Sequence, residues 1–379
     1  MSVPVVAVPP HEVTHAAMVA AVGQQYDGVF PAGSARAAAV RRALDMAGRL
    51  AIDTHPLHLP IERILADHGL ADRNRHAWEA LHAYAIPAAR AALRSAGRSG
   101  PDVDVVILET STLIAMPSPV SAVAQALRLR PDCAAMPVFG MGCRGGAHAI
   151  TMAATWLRAH PDDTVLIVTA DFASPHFHLE TGLDEVGLVG SIVSSTLFSD
   201  AAAAAVVSCS LDTGFEIADV TRYEVPGTPD AIAWTATDQG LRFRLTTDAV
   251  RSISALGPAL RGLLDRQGWA ATDLGICALH SGGNTIIRDA ARALGLSAHQ
   301  VAPAWLSLRR GNLMSTAVLD ALALIADRPE LRPGWGAPLL GAGFGPGFGM
   351  DAFAGRALLP EAPSAADHSD AHRSEIAVG

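Results

Sequence analysis

The sequence predicts a large α/β protein in which one plan of strands and helices occurs twice. Short apolar, β-branched runs alternate with helical runs, as where "DVDVVILETST" is followed by "SAVAQALRL". After about residue 211 the alternation begins again, although no literal repeat is visible. Strands that alternate with helices favour a mostly parallel sheet covered on both faces. We therefore expect two α/β halves, residues 1–211 and 212–360.

The individual elements follow from the same patterns. In the first half, residues 34–51 and 74–98 have helical, Ala-rich patterns; "AAMPVFGMG" and "DTVLIVTAD" predict strands, and "GGAHAITMAATWLRAH" predicts the helix between them. In the second half, residues 248–268, "TIIRDAARALGL" and "LMSTAVLDALALIAD" predict helices, and "LGICALHSGG" predicts a strand that ends in polar residues. "APLLGAGFGPGFGMDAFAGRALL" predicts a closing pair of strands around a glycine turn.

Composition excludes several classes of function. The chain has 379 residues, half of them hydrophobic, which is enough for a large core. It carries 28 Lys and Arg against 37 Asp and Glu, a net charge of −9, with no basic run. Such a chain is a poor binder of nucleic acid or of anionic membranes. An anionic substrate must therefore meet a local basic patch.

Cysteines and termini indicate a cytoplasmic protein. The four cysteines are widely spaced without a CxxC motif, so they predict neither a zinc site nor a disulfide framework. The start, "MSVPVVAVPPHEV", lacks the features of a signal peptide. The longest apolar stretches are interrupted by Asp200 or by glycines and prolines, so no membrane span is predicted. The polar segment 361–379 is expected to be a disordered tail.

Three segments share one order: strand, polar residue, glycine or turn, helix. They contain Cys143, His280 and Asn312. The carboxyl ends of strands in α/β sheets open into a common crevice, so these side chains are expected to meet. A helix N-terminus and an imidazole would lower the pKa of the Cys143 thiol, and His280 and Asn312 could donate hydrogen bonds to an oxyanion. Each residue alone is more often structural, but the set suits acyl transfer through a thioester.

At this point a family resemblance emerges. "GMGCRGG", "LHSGG", "RRGN" and "GFGPG" occur in this order, with "MPS" at 116–118 and "LFSDAAAA" from Leu197. The chain resembles the bacterial type III polyketide synthases, the chalcone-synthase-like group of the thiolase superfamily, over roughly residues 1–360. The resemblance implies a thiolase-like duplicated αβαβα layered fold with two pseudo-equivalent halves. The first half would carry the nucleophilic cysteine, and the second would carry the histidine and asparagine.

The resemblance also implies a reaction. Cys143 would be acylated by a starter acyl-CoA, and His280 and Asn312 would hold the thioester carbonyl while malonyl-CoA loses CO₂. A decarboxylative Claisen condensation, repeated a few times, would be followed by pyrone or aromatic ring formation or by release as an acid. Family members are homodimers that use CoA thioesters, without metal, further cofactor or carrier-protein arm.

Several residues match positions that line the family's binding spaces. Phe198 and Phe243 match gatekeepers between the CoA tunnel and the cavity, and Met116 matches a residue that reaches into the partner's cavity. Arg42 and Arg49 lie where the family has a cationic CoA-binding helix, although a solvated helix face fits them equally well. The other predicted substrate-binding residues are Ser111, His176, Trp234, Met314, Gly282, Gly283, Gly343, Phe344, Gly345 and Pro346.

Some positions depart from the family pattern. His176, Trp234 and Met314 are bulkier than the residues common there, which predicts a short product or a compact starter. Ser111 replaces a cysteine of some tetrahydroxynaphthalene-forming members, which argues against that product. Arg144 is unusual beside the nucleophile. It would either lower the thiol pKa or form a salt bridge outside the site.

Three other functions fit parts of the pattern. A β-ketoacyl synthase III-like condensing enzyme would share the Cys–His–Asn set but would use acyl-carrier protein, and no basic docking patch is evident. A cysteine hydrolase would need a histidine base oriented by Asn or Asp. A non-catalytic scaffold of the same fold would not need Cys143, His280 and Asn312 intact.

Overall fold

A computed structural model of the protein describes residues 1–66, 68–245 and 253–360. The predicted tail, 361–379, lies outside the described residues, as does the start of the helix expected over 248–268. None of the described helices is long and apolar enough to cross a membrane. The cytoplasmic location stays a prediction.

The strands follow the predicted order and add several that the patterns did not separate. They are β1 (Val5–Ala7), β2 (His11–Thr14), β3 (Thr54–Leu57), β4 (Val105–Thr110), β5 (Ala134–Phe139), β6 (Val165–Asp171), β7 (Ala201–Val207), β8 (Gly214–Glu224), β9 (Ile232–Thr237), β10 (Gly240–Leu245), β11 (Ile276–Leu279), β12 (Ala337–Gly345) and β13 (Gly349–Leu358). β4, β6 and β7 are buried along their whole length, which is why they are apolar runs without polar alternation.

The helices are α1 (His15–Gln24), α2 (Ala35–Ala47), α3 (Ile61–Ile64), α4 (Leu70–Ala80), α5 (Ile86–Ser95), α6 (Val120–Leu127), α7 (Gly145–Ala159), α8 (Glu185–Leu197), α9 (Ile253–Arg266), α10 (Asn284–Leu294), α11 (Ala302–Leu308) and α12 (Ala317–Asp327). Ser34 begins α2, because its hydroxyl accepts a hydrogen bond from Ala37 N at 3.2 Å. A π-helical turn, Leu81–Ala85, joins α4 to α5. It precedes Pro87, which has no N–H to donate.

Two mixed sheets form the framework. Five strands pair in the order β1-β7-β6-β4-β5, and four pair in the order β11-β12-β13-β8. The expectation of a mostly parallel sheet is wrong. Only β4–β5, β4–β6 and β11–β12 are parallel in these two sheets. The turn between β12 and β13, residues 346–348, is too short for a crossover and produces an antiparallel hairpin.

Helices and sheets alternate in five layers. α7 and α12 pack between the two sheets, with Ala153 and Leu322 among the buried residues of this central core. α5 and α6 cover the outer face of the five-stranded sheet, and α9 and α10 pack on the other side of the four-stranded sheet. This is the αβαβα order that the resemblance implied. The division into halves at residue 211 stays a prediction, since the central helices contact both sheets.

We expect Gly341→Ala to lower the free energy of unfolding by about 1–3 kcal/mol, the usual range for an overpacked core. A methyl group at Gly341 would lie 2.0 Å from Cζ of Phe353, which is fully buried on the neighbouring strand. Urea denaturation measures the change. Gly334→Ala is the matched control, because nothing lies within 4 Å of its added methyl group. Equal losses in the two variants would contradict this packing.

Candidate active site

Cys143 lies in a tight turn, Gly142–Arg144, between β5 and the start of α7. Its side chain is buried, with the residue 8% exposed. Gly142 has φ +50°, and a methyl group there would lie 2.9 Å from Pro346. Only glycine fits such a position well. The turn therefore places the thiol at a helix N-terminus, as the sequence predicts.

Asn312 lies between α11 and α12 with its amide group oriented toward the thiol. Its Oδ1 accepts a hydrogen bond from Met314 N at 2.9 Å, and its Nδ2 lies 3.5 Å from Cys143 Sγ. Its backbone N donates to Leu197 O at 2.8 Å, at the end of α8. Because the carbonyl oxygen is already engaged, the NH₂ group is the part that faces Cys143.

His280 follows β11 and lines the same cavity as Cys143 and Asn312. Its backbone N donates to Ala342 O of β12 at 2.9 Å, and its buried Nδ1 has no hydrogen-bond partner within the described part of the chain. A methyl group at Gly282 would lie 2.8 Å from His280 Nε2, so the glycine leaves room for the ring. The structure thus brings the three predicted catalytic side chains to one cavity.

The expected lowering of the Cys143 pKa is not found. Burial raises the pKa of the thiol to about 12, against a smaller opposing effect of the hydrogen bond with Asn312. Burial also lowers the pKa of His280 to about 3. Both groups are therefore neutral at rest, and a thiolate requires proton transfer from sulfur to a base inside the cavity.

Arg144 forms the salt bridge outside the site, the second of its two expected roles. Its Nη1 lies 2.6 Å from Glu224 Oε1, and its Nε lies 3.9 Å from Asp351 Oδ2. Asp351 is buried and also contacts Arg222 Nε at 2.9 Å and His148 Nδ1 at 3.1 Å. The guanidinium thus anchors the turn from behind.

Most of the "GFGPG" segment packs against the turn that carries Cys143 and does not line the main cavity, the one that contains Cys143, His280 and Asn312. Only Phe344 of the predicted Gly343–Pro346 group lines the main cavity. Methyl groups at Gly343 and Gly345 would lie 2.9 and 2.8 Å from backbone atoms of Arg144. These glycines let the β12–β13 hairpin pack against the turn that carries the thiol.

The main cavity has a volume of about 340 Å³ and is lined largely by apolar residues. Phe198 and Phe243 line it, as do Gly282 and Gly283. The rings of Phe198 and Phe243 meet edge to face with centroids 5.0 Å apart. Trp234 stacks against Phe198 at 5.7 Å, so these three residues form an aromatic gate.

A small void borders the aromatic gate at Trp234 and Phe243. It has a volume of about 10 Å³, and His176 is among the other residues that line it. His176 is buried and its Nε2 lies 2.7 Å from Thr112 O. Met314 and Ser111 are buried but line neither the main cavity nor this void.

The cavity mouth carries two arginines. Arg49 lines it from the segment after α2, and Arg288 lines it from α10. Asn284 joins the two elements, since its Nδ2 donates to Arg49 O at 2.9 Å. Arg42 is exposed and does not line the cavity, and its role in CoA binding stays a prediction. Sequence reasoning missed Arg288, although it lies four residues after Asn284 and so on the same helix face.

Met116 is 98% exposed and lies apart from the cavity of its own chain. Ser199, in the "LFSDAAAA" segment, is buried. Its Oγ lies 2.8 Å from His55 Nδ1, and Gly311 has φ +80° where it passes this hydroxyl. The Ser199 hydroxyl fits because residue 311 on the facing loop is a glycine. A methyl group there would lie 2.1 Å from Ser199 Oγ.

Comparisons with known proteins bear on the family. A sequence profile described as "FAE1/Type III polyketide synthase-like protein" matches residues 65–224. The chain is 31% identical over 346 residues to 1,3,6,8-tetrahydroxynaphthalene synthase of Streptomyces griseus, covering 91% of this chain and 89% of that protein. The chain belongs to the type III polyketide synthases.

Further relatives agree with this membership. Phloroglucinol synthase of Pseudomonas fluorescens is 29% identical over 302 residues, covering 78% of this chain and 84% of that protein. The crystal structure of tetrahydroxynaphthalene synthase from Streptomyces coelicolor, a bacterial type III polyketide synthase, superposes with a TM-score of 0.86 at 28% identity, covering 95% of this chain and 99% of that one. The predicted thiolase-like layered fold and acyltransferase class are thereby confirmed. The carrier-protein alternative is not favoured.

Two buried carboxyl groups, those of Glu109 and Asp171, lie under the turn that carries Cys143 in this synthase. Glu109 lies near the end of β4, and a methyl group at Gly145 would lie 2.2 Å from its carboxyl carbon. Burial and the charge of Asp171 raise the pKa of Glu109 well above its usual value. Ser111 links the pair to the turn: its Oγ donates to Glu109 Oε1 at 3.2 Å and accepts from Gly142 N at 2.8 Å.

Asp171 is the member of the pair with more donors. Its Oδ1 accepts from Ser111 N at 2.7 Å and its Oδ2 from Ser315 N at 3.3 Å, whereas no residue that the structure describes donates to Glu109 Oε2. Glu109 is therefore the group that keeps a proton. Sequence reasoning missed Glu109, although an acidic residue at the end of the apolar run "VVILE" was a visible signal.

We expect Glu109→Gln to raise the melting temperature relative to the wild type by a margin that grows from pH 5 to pH 8. The raised pKa means that the folded protein holds a proton that the unfolded chain loses above about pH 4.3, so wild-type stability falls as pH rises. The amide does not titrate. Thermal unfolding across pH measures the margin, and Glu62→Gln, an exposed site, is the control. Parallel curves for wild type and Glu109→Gln would contradict the buried proton.

Proposed function

We propose that this synthase loads an acyl group from a starter acyl-CoA onto Cys143 Sγ and extends it with malonyl-CoA. The observation that supports this most directly is the Asn312 amide, whose Nδ2 lies 3.5 Å from Sγ while its oxygen is held by Met314 N. A fixed neutral donor beside the nucleophile suits a thioester oxygen that gains negative charge. Beyond the CoA thioesters, the reaction needs no further cofactor.

The loading step begins from a neutral thiol. His280, neutral because burial lowers its pKa to about 3, accepts the proton of Cys143. The thiolate forms a bond to the acyl carbonyl carbon, the bond to the CoA sulfur breaks, and the CoA thiolate takes the proton from His280. Proton and charge thus return to their starting distribution.

The extension step uses the same donors. Malonyl-CoA loses CO₂, and the enolate oxygen accepts hydrogen bonds from Asn312 Nδ2 and from the neutral imidazole of His280. The enolate carbon then forms a bond to the acyl carbon on Cys143, and the thiolate leaves. Neutral donors in a dry cavity stabilise this charge without adding a charge of their own.

Arg49 and Arg288 are proposed to bind the CoA phosphates. Both line the main cavity of a chain whose overall net charge is −9. Arg288 also lies over the ring of Trp305, 5.7 Å from its centroid, which fixes the guanidinium near the opening. The homodimer is a proposal as well, supported by Met116, whose apolar side chain is 98% exposed in the single chain.

A short product is proposed, released after one to a few extensions as a pyrone, an aromatic ring or an acid. The cavity beside Cys143 has a volume of about 340 Å³, and the void lined by Trp234 and Phe243 holds about 10 Å³. Trp234 and His176 line that void, so their bulk limits the growing chain. The relatives' own products do not transfer at this identity.

We expect Cys143→Ala to abolish polyketide formation from malonyl-CoA and a starter acyl-CoA, because no thiol remains to carry the acyl group. Product formation and CO₂ release are measured together, and intact mass shows whether the protein is acylated. Cys277→Ala is the matched control: burial raises its pKa to about 12 too, but it does not line the cavity. A Cys143→Ala enzyme that still makes the full product would refute the mechanism.

We expect Trp234→Ala to shift the products toward chains with more malonyl units, because removing the indole opens the gate beside Phe198 and Phe243. Liquid chromatography with mass spectrometry across several starter acyl-CoAs measures the shift. Trp335→Ala is the control, since that indole is 58% exposed. A product length that is identical in wild type and Trp234→Ala would show that the indole does not limit chain growth.

A further inference from the structure

A cluster of metal-binding side chains lies outside the active site. His58 follows β3, and His76 and Glu79 lie one turn apart on α4. One ligand atom from each of the three lies within 4.8 Å of the other two. None of the three lines the main cavity, so the catalytic proposal does not use them.

The distances suit a small transition-metal ion. His76 Nδ1 lies 2.9 Å from Glu79 Oε2, and His58 Nε2 lies 4.0 Å from the same oxygen. Ligand atoms at about 2.0–2.1 Å from zinc in a tetrahedral site lie roughly 3.3 Å from each other. Small side-chain rotations that move these atoms by about 1 Å would therefore place all three around one ion.

His58 is the member that points to a missing ligand. Its Nε2 is buried and has no hydrogen-bond partner among the described residues, which is costly for a polar atom. Its other ring nitrogen, Nδ1, lies 3.4 Å from Tyr84 Oη, a position typical of the outer partner of a metal-binding imidazole.

We propose that His58 Nε2, His76 Nδ1 and Glu79 Oε2 bind a divalent transition-metal ion, with Zn²⁺ the ion that this set fits best. Two imidazoles and one carboxylate favour zinc over magnesium or calcium, which prefer oxygen ligands alone. Water would complete the fourth position. The ion would tie the segment after β3 to α4.

Neighbouring charges permit this arrangement. Arg75 Nη1 pairs with the other Glu79 oxygen, Oε1, at 2.7 Å, which leaves Oε2 for the ion. A metal on His76 Nδ1 moves the imidazole proton to Nε2, 3.4 Å from Arg75 Nη2. The Arg75 side chain is 53% exposed and already contacts Asp72 at 3.2 Å. A rotation toward Asp72 would move its guanidinium away from the His76 proton. The facing His68 is engaged with Arg63 O at 3.1 Å, and His11 adds a further titratable group.

The test is titration of the full, untagged chain with ZnCl₂, followed by calorimetry and by thermal unfolding. We expect one ion per chain and a melting temperature that rises with zinc, since a ligand of the folded state stabilises it. His76→Ala and Glu79→Gln should each weaken binding more than about tenfold, because even outer-shell partners contribute that much. His82→Ala, an exposed histidine on the next turn, is the matched control.

Anomalous diffraction at the zinc edge locates the ion, and circular dichroism confirms that each variant is folded. Density between His58, His76 and Glu79 supports the proposal. Zinc bound elsewhere, equal affinity in wild type and Glu79→Gln, or no saturable binding by the wild type would each overturn it.

Discussion

The active site depends on the close approach of the β12–β13 hairpin to the turn that carries Cys143. Glycines at 343 and 345 allow backbone contact with Arg144 at distances that a side chain would forbid. On the far side, the Arg144 guanidinium pairs with Glu224 and approaches the buried Asp351. The turn is thus held in place by the hairpin on one side and by the Arg144 ion pair on the other. Neither the two glycines nor Arg144 lines the main cavity.

Burial then decides the charge state of the site. A thiol with a pKa of about 12 and an imidazole with a pKa of about 3 are both neutral at physiological pH. An isolated charge is costly in such an environment, whereas an ion pair formed by proton transfer from Cys143 to His280 has no net charge. A protonated Glu109 under the turn also favours formation of the thiolate, because an ionised carboxylate there would repel its negative charge.

The aromatic gate and the Asn312 amide share one backbone connection. Asn312 N donates to Leu197 O, and Ser199 N donates to Asn312 O at 3.1 Å, on either side of Phe198. The gate ring therefore cannot shift far without moving Asn312. Because Trp234 packs on that ring, its indole also supports the geometry beside the thiol.

The sequence by itself determined the order of the elements and the convergence of Cys143, His280 and Asn312, because each follows a strand or turn whose local signals are strong. The hairpin around "GFGPG" was also predictable from the sequence, because its two strands and its glycine turn are adjacent along the chain. Only the tertiary structure decided that the sheets are mixed, that Arg288 joins Arg49 at the mouth, and that the thiol pKa is raised. Strand direction, contacts between distant segments and loss of water around a side chain arise from packing, which no spacing along the chain records.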